Sequence, residues 1–418
     1  MNRSAKLRVL HIGKFYHPYL GGIETHVQEL AEAIQPAVDV TVLVSSERAR
    51  TSIETINGVK VIRAGRICTI SRAPLCPAMP WHAARVDADI VHIHLPNPGA
   101  VLAYLAGRCH GKLILAEHGE VFGRRLLRAA FQPFLGAALE RASAVISTSP
   151  NYLSQSSVLS AVPGKCHVIP YGIRPERFER PHAGRTAAIR SRYPGPLFIA
   201  IGRLVHFKGF EYLIRAMARV AGSLLILGGG PLEQHLRAVA RQAGTSDRVH
   251  LLGGVPHAEV VNYLHAADVF ALPSIENRES FGIVQLEAMA CGKPVINTNL
   301  ASGVPFASLD GVTGLTVPPA DQAALAEAME LLARDPDLRN RFGHAGRRRV
   351  RAEFTVEVMA RRTLELYREV CGPVCREEAK REGACAGASL DLAALAGFLA
   401  ASEEGLKEGA RSADQWVG

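Results

Sequence analysis

The chain lacks any apolar run near the roughly 20 residues that a bilayer-spanning helix needs. Its start, MNRSAKLRVLHIG, passes straight into a strand-like pattern and has no signal-peptide core, so a cytoplasmic protein is expected. Its eight cysteines (68, 76, 109, 166, 291, 371, 375 and 385) include no C-x-x-C pair, which excludes a disulfide framework or a zinc site as a reading. Aromatic residues are only 6% of the chain, and no RNA-binding aromatic signature, zinc-finger spacing or helix-turn-helix pattern accompanies its basic residues. Nucleic acid is therefore not an expected partner.

What is present is ordinary for a globular chain: 418 residues, 48% hydrophobic and 21% charged, enough for two domains each with its own core. The net charge of +9 is unevenly placed. Residues 1–181 hold 21 Lys/Arg against 13 Asp/Glu, or +8, leaving +1 for the remainder. A phosphate-bearing substrate or an anionic membrane surface would each use such a basic half.

Strand-like runs alternate with helical stretches: LRVLHIG, VTVLVSS, DIVHIHL, KLILAEHG and AVISTS, then PLFIAIG, SLLILGG, RVHLLGG, DVFALPS and KPVINTN. This alternation predicts an α/β protein with parallel sheets flanked by helices. The proline-, glycine- and charge-rich IPYGIRPERFERPHAGRTAAIRSRYPG interrupts it and sets a domain boundary near residue 180. The expected organisation is 1–181, 182–350, a helix over 351–371 packing back on the first domain, and a tail over 372–418 with no assigned role. The two doubly wound domains are expected to face each other across a cleft at the carboxyl ends of their strands.

The segment ESFGIVQLEAM places two carboxylates, Glu279 and Glu287, eight residues apart. It reads as a loop followed by a helix capped by Ser280 and stopped by Gly292, with Glu279 in the loop and Glu287 about two turns inside. A carboxylate accepts paired hydrogen bonds, which suits the vicinal hydroxyls of a sugar or ribose. The helix start at Phe281, Gly282 and Ile283 offers backbone N–H groups to a phosphate. Taken alone, a pair of glutamates at this spacing also fits a solvated loop and helix surface.

Three more loops follow predicted strands. IGRLVHFKG carries Arg203 and Lys208, cations suited to a pyrophosphate; solvated loop side chains are the plainer alternative. Gly228, Gly229 and Gly230 read mainly as a tight turn. Near the front, Gly21 and Gly22 precede a helix, and His118 stands at the end of KLILAEHG as a polar contact for a reacting group or as a structural histidine.

In this order, Gly21-Gly22-Ile23-Glu24, HLPNP, TSPNY, IPYGI, GRLVHFKG and the E-x7-E pair resemble the GT4 family of glycosyltransferases over roughly residues 7–370. The stretch 297–321 resembles in particular the mannosyl- and rhamnosyltransferases of bacterial surface polysaccharides. The resemblance implies a GT-B fold of two Rossmann-like domains, and transfer of a sugar from a nucleoside diphosphate to a hydroxyl with retention and without a metal or other cofactor. It assigns Arg203 and Lys208 to the donor pyrophosphate, Glu279 to the donor sugar and Glu287 to the ribose, and packs the loop Gly254-Val255-Pro256 near the base. It places His118 near the reacting centre and the backbone of Gly22 on the phosphate. GDP-mannose is the preferred donor and a lipid-linked glycan or similar molecule the acceptor; a UDP-sugar-dependent or rhamnosyl transferase of the same fold and a non-catalytic sugar-nucleotide-binding module are the alternatives. Gly119-Glu120, with Glu117 before His118, departs from the short polar pair that many members carry after the histidine, which bears on acceptor recognition more than on donor binding. The segment 121–142, with Arg124, Arg125 and Arg128 beside Leu126, Leu127, Phe131, Phe134 and Leu135, would either lie on an anionic inner leaflet or pack on its own domain.

Overall fold

A computed structural model describes residues 6–19, 21–70, 73–119 and 125–372. Glu120, Arg124 and the tail beyond Gly372 lie outside the described residues, as do the side chains of Arg125 to Arg128. The chain divides into two compact units. Unit 1 takes residues up to Ser147, Ser156–Ile169 and the described residues from Ala360; unit 2 takes Thr148–Gln155 and Pro170–Met359.

Unit 1 contains β1 (Arg8–Ile12), β2 (Asp39–Ser45), β3 (Ser52–Ile56), β4 (Val59–Ala64), the small hairpin of β5 (Cys68–Ile70) and β6 (Ala73–Leu75), β7 (Ile90–Leu95), β8 (Lys112–Glu117), β9 (Ala142–Ser147) and β10 (Cys166–Val168). Its eight-stranded sheet runs β10-β9-β8-β7-β1-β2-β4-β3. All pairs are parallel except β3–β4, a hairpin closed by Asn57-Gly58, both at positive φ, the turn chemistry that suits a two-residue hairpin. Every residue of β7 is buried, as expected of a parallel strand covered on both faces. The helix Arg125–Arg141 turns Phe131, Phe134 and Leu135 into the interior of this unit. For these three residues the reading as a helix packed on its own domain holds, and they offer no apolar face to a membrane.

Unit 2 contains β11 (Leu197–Ile201), β12 (Ser223–Leu227), β13 (Val249–Gly253), β14 (Val269–Ala271), β15 (Val295–Thr298) and β16 (Gly314–Val317), all parallel, in the order β13-β12-β11-β14-β15-β16. One apolar cluster, including Leu197, Ile199, Phe270, Leu286 and Phe354, packs on one side of this sheet, and a second, including Phe198, Ala200, Phe210, Leu224 and Met329, on the other. Alternate residues of β11 enter opposite clusters, the period of two that a strand dictates. The α/β class and the ten parallel strands expected from the apolar runs are thus present. No helix among the described residues is long and apolar enough to cross a membrane.

Candidate active site

In each sheet the strand order reverses once, between β1 and β7 in unit 1 and between β11 and β14 in unit 2. At such a switch point the loops leave the strands toward opposite sides, and ligands of doubly wound sheets bind there.

In unit 2 the loop after β11 carries Arg203 and Lys208, and the loop after β14 carries Glu279. Two contacts hold these loops together. The Ile275 N–H donates to the Phe207 carbonyl at 2.8 Å. Gly209, at φ 65, sits so close to Pro273 that a Cβ would lie 2.1 Å from its carbonyl oxygen, so a side chain is excluded. Lys208 Nζ consequently stands 2.5 Å from Glu279 Oε2. Ser274 Oγ donates to the same oxygen at 2.9 Å, and Thr298 Oγ1 donates to the Ser274 carbonyl at 2.6 Å. Glu279 is 8% exposed, and its Oε1 makes no hydrogen bond among the described residues. Arg203, five residues before Lys208, is exposed and makes no ion pair among them.

The helix after this loop spans Ile283–Ala290. Ser280 is not its cap: Gly282 takes that position at φ 71, with no side chain closing the first turn. Glu287 therefore lies just over one turn inside, not two. Its Oε1 is 3.6 Å from His257 Nε2, beyond the loop after β13 where Val255 packs half-buried against the core. Gly292, at φ 72, ends the helix, and Arg347 donates to the terminal carbonyls of Ala290 at 3.3 Å and Cys291 at 2.9 Å. Phe281 is a core residue, its ring 5.3 Å from that of Tyr171, so it has only its backbone to give a ligand.

The glycines after β12 brace the Arg203 loop. The Leu204 N–H donates to the Gly229 carbonyl at 2.9 Å, and the Gly202 N–H to the Leu227 carbonyl at 2.9 Å. A Cβ on Gly228 would lie 2.1 Å from the Gly202 oxygen, and one on Gly230 2.6 Å from that of Leu204. These residues form a close backbone junction.

In unit 1 the helix Gly22–Ile34 starts in the loop after β1, with Gly21 at its N-cap and no side-chain cap. A Cβ on Gly21 would lie 2.2 Å from Glu24 Oε2, and burial pushes the Glu24 carboxyl up from its ordinary pKa. One turn later His26 brings its ring 4.8 Å from that of His118. His118 follows β8, donates its N–H to the Leu95 carbonyl at 3.1 Å, and has Nε2 2.9 Å from His94 Nδ1. Burial, and then the nearby His26, hold its pKa well below the ordinary value, so the ring is neutral at physiological pH. Glu117, also buried, accepts from Ser156 Oγ at 2.9 Å.

The structure therefore joins Lys208 with Glu279, sets Gly282 and Ile283 directly after them, and places Glu287 beside the next loop. His118 and Gly22 belong to unit 1. Sequence reasoning missed Ser274, which orients Glu279, and His11, His92, His94 and Tyr367, which stand behind His118. The signal for the histidines was there: HIG and VHIHL put polar rings into otherwise apolar strands.

Two doubly wound units are the architecture of GT-B glycosyltransferases. Residues 20–177 match Glycosyltransferase Family 4 and residues 188–349 match Glycosyl transferases group 1. O-antigen chain mannosyltransferase C of Escherichia coli is 29% identical over 366 residues, 86% of this chain and 98% of the relative. D-rhamnosyltransferase WbpZ of Pseudomonas aeruginosa is 30% identical over 356 residues, 84% and 92%. A Corynebacterium glutamicum protein, GDP-mannose-dependent monoacylated alpha-(1-6)-phosphatidylinositol monomannoside mannosyltransferase, is 30% identical over 382 residues, 86% and 97%. Among solved structures, sucrose-phosphate synthase from Thermosynechococcus elongatus superposes with a TM-score of 0.73 at 27% identity, covering 87% of this chain and 99% of that one. The chain belongs to the GT4 family of glycosyltransferases, and its activity is that of a hexosyltransferase.

Proposed function

We propose that the protein transfers mannose from GDP-mannose to a hydroxyl of a lipid-linked glycan in surface polysaccharide synthesis, with retention at the anomeric carbon. The observation that carries this reading is the Lys208–Glu279 pair at the switch point of unit 2, directly before the helix start at Gly282. A cation for diphosphate, a carboxylate with one oxygen left for sugar hydroxyls, and a second carboxylate at Glu287 for ribose match the three parts of a nucleoside diphosphate sugar. The mannosyltransferase relatives support the choice of sugar, and the glycolipid named for the Corynebacterium relative supports a lipid-linked acceptor.

In the reaction the bond from the anomeric carbon to the β-phosphate oxygen breaks and a bond to the acceptor oxygen forms. The acceptor hydroxyl proton leaves with the nucleoside diphosphate. Arg203 and Lys208 stabilise charge growing on the departing diphosphate, the task for which fixed cations contribute most. They take the role that a divalent metal has in other transferases, so none is required. Glu279 Oε1 binds donor sugar hydroxyls, neutral His118 hydrogen-bonds the donor sugar, and the Gly22 backbone meets phosphate. An acceptor held in lipid keeps the protein at the cytoplasmic face of the membrane.

The test is a donor panel of GDP-mannose, GDP-D-rhamnose and UDP-glucose with a lipid-linked acceptor, run with and without EDTA. Product anomeric configuration is read by NMR. An α-mannoside formed from GDP-mannose in both conditions is expected. A β-mannoside would overturn retention, preference for another donor would overturn the assignment of mannose, and loss of turnover in EDTA would overturn the metal-free mechanism.

A further inference from the structure

Behind His118 lies a buried polar structure that the donor contacts above do not use. The period of two puts His92 and His94 on one face of β7. His11 of β1 registers with His92, and His118 lies two residues past Ala116, the β8 partner of His94. The helix Val356–Cys371 adds Tyr367 to the same face. All five side chains are nearly inaccessible, at 5% exposure or less.

Their polar atoms form one line. His92 Nδ1 is 2.7 Å from the Tyr367 hydroxyl, which is 3.2 Å from His11 Nε2. His11 Nδ1 is 2.9 Å from His94 Nε2, and His94 Nδ1 is 2.9 Å from His118 Nε2. Burial keeps the four rings neutral, with His11 lowered to about 3, and raises the phenol of Tyr367. Each group then owns one mobile proton, and each contact in the line needs one. Only two arrangements satisfy every contact: all protons point toward His118, or all point away from it.

His92 Nε2 decides between them, because it is buried and has no hydrogen-bond partner among the described residues. If the protons point away from His118, this nitrogen carries an orphaned N–H; if they point toward it, it carries only a bare lone pair. Buried donors without acceptors are the rarer and costlier of the two. We infer that the line runs from His92 through Tyr367, His11 and His94 to His118, and holds His118 as the tautomer protonated on Nδ1. His92, Tyr367, His11 and His94 are positioning residues, setting which nitrogen of His118 can accept and which can donate. A role for this in sugar transfer rests on the proposed contact of His118 with the donor; the tautomer itself does not.

A metal ion is the competing occupant, since His11, His92 and His94, or His26, His94 and His118, bring ligand atoms within 4.8 Å of one another. The facing nitrogens argue against it. At 2.9 Å they are spaced for a shared proton, whereas nitrogens around a tetrahedral zinc stand about 3.3 Å apart given bonds of about 2.0–2.1 Å.

The test is long-range proton–nitrogen NMR on the full chain labelled with ¹⁵N-histidine, assigned by single substitutions. His11, His92, His94 and His118 are each expected to show a protonated Nδ1 and a bare Nε2, the tautomer less favoured by free histidine in water. In His94→Phe, His118 loses its donor and its Nε2 signal moves toward the protonated range. In Tyr367→Phe the line is cut between His92 and His11, so His92 Nδ1–H loses its acceptor and His11 Nε2 its donor, and the signals of both rings move. A proton on Nε2 of any of the four in the unsubstituted protein, or stoichiometric zinc that shifts these signals on removal, overturns the proposal. If the tautomers are as stated but His94→Phe transfers mannose at an unchanged rate, the relay stands and the donor contact of His118 fails.

Discussion

Lys208 and Glu279, 71 positions apart in sequence, meet at 2.5 Å between loops that leave neighbouring strands of unit 2. Their side chains are only 12% and 11% exposed. At that burial neither charge can be removed without leaving the other poorly compensated, so each holds its partner in place. In the proposed function such a pair would align donor-binding groups before the donor arrives, the preorganisation that electrostatic catalysis depends on.

Removing either member should therefore cost more than one contact. Lys208→Ala is expected to lower kcat/KM by about 10²–10³-fold, the range for loss of one group that stabilises developing negative charge. Glu279→Gln should fall by a similar factor, and the double variant should lose much less than the product of the two, because the residues act as a unit. Steady-state kinetics on the three variants checks this. Independent, multiplicative losses would show that the contact has no part in catalysis.

Glu287 has a different task. In the proposed function it is a ribose ligand, which would bind the donor equally before and during reaction, so Glu287→Gln should raise the KM for donor and leave kcat nearly unchanged. A charged hydrogen bond contributes about 1.5–3 kcal/mol, so GDP affinity should fall at least tenfold. Calorimetric titration with GDP reads this directly, and an unaltered Kd would remove Glu287 from the site.

The strands were legible because buried parallel strands are nearly continuous apolar runs, and PLFIAIG or SLLILGG have no other comfortable reading. The antiparallel strand Ser52–Ile56 has no such run and is mostly exposed, so only its Asn57-Gly58 turn could have announced it. Glu279 and Lys208 were each legible as ligand-binding candidates by residue type, but their contact was not, since it depends on which strands become neighbours. The line of histidines was hidden for the same reason: the register of His11 against His92 is a property of the folded sheet. Ser280 misled because it has cap chemistry, while Gly282 won the position through its positive φ.

The junction of the glycine loop with the Arg203 loop predicts an effect at a distance from any ligand. Gly228 has φ 131, and a Cβ there would overlap the Gly202 carbonyl oxygen. Gly228→Ala should lower Tm and weaken donor binding together, because relief requires the loop carrying Arg203 and Lys208 to shift. Gly244→Ala, also at positive φ but with open space around it, should lower Tm through backbone strain alone and leave donor KM unchanged. Thermal melts and donor KM on the two variants separate these effects. Equal KM values would mean that the glycine junction does not position the loop.

The buried histidines give stability a pH dependence with a definite sign. His11 titrates near 3 in the folded protein, and burial holds His92, His94 and His118 well below the ordinary value. In the unfolded chain each returns to about 6.5. Above that pH neither state binds these protons and folding stability is full. As pH falls below about 6.5 the unfolded chain takes up protons that the folded protein refuses, and stability is lost at about 1.4 kcal/mol per pH unit for each such histidine. Urea midpoints should accordingly be flat from pH 7 to 8 and decline steeply from pH 6 to 5. Replacing His92 with Phe removes one titrating group and should make that decline shallower. A midpoint independent of pH between 5 and 7 would show that these rings are charged, or reached by water, in the folded protein.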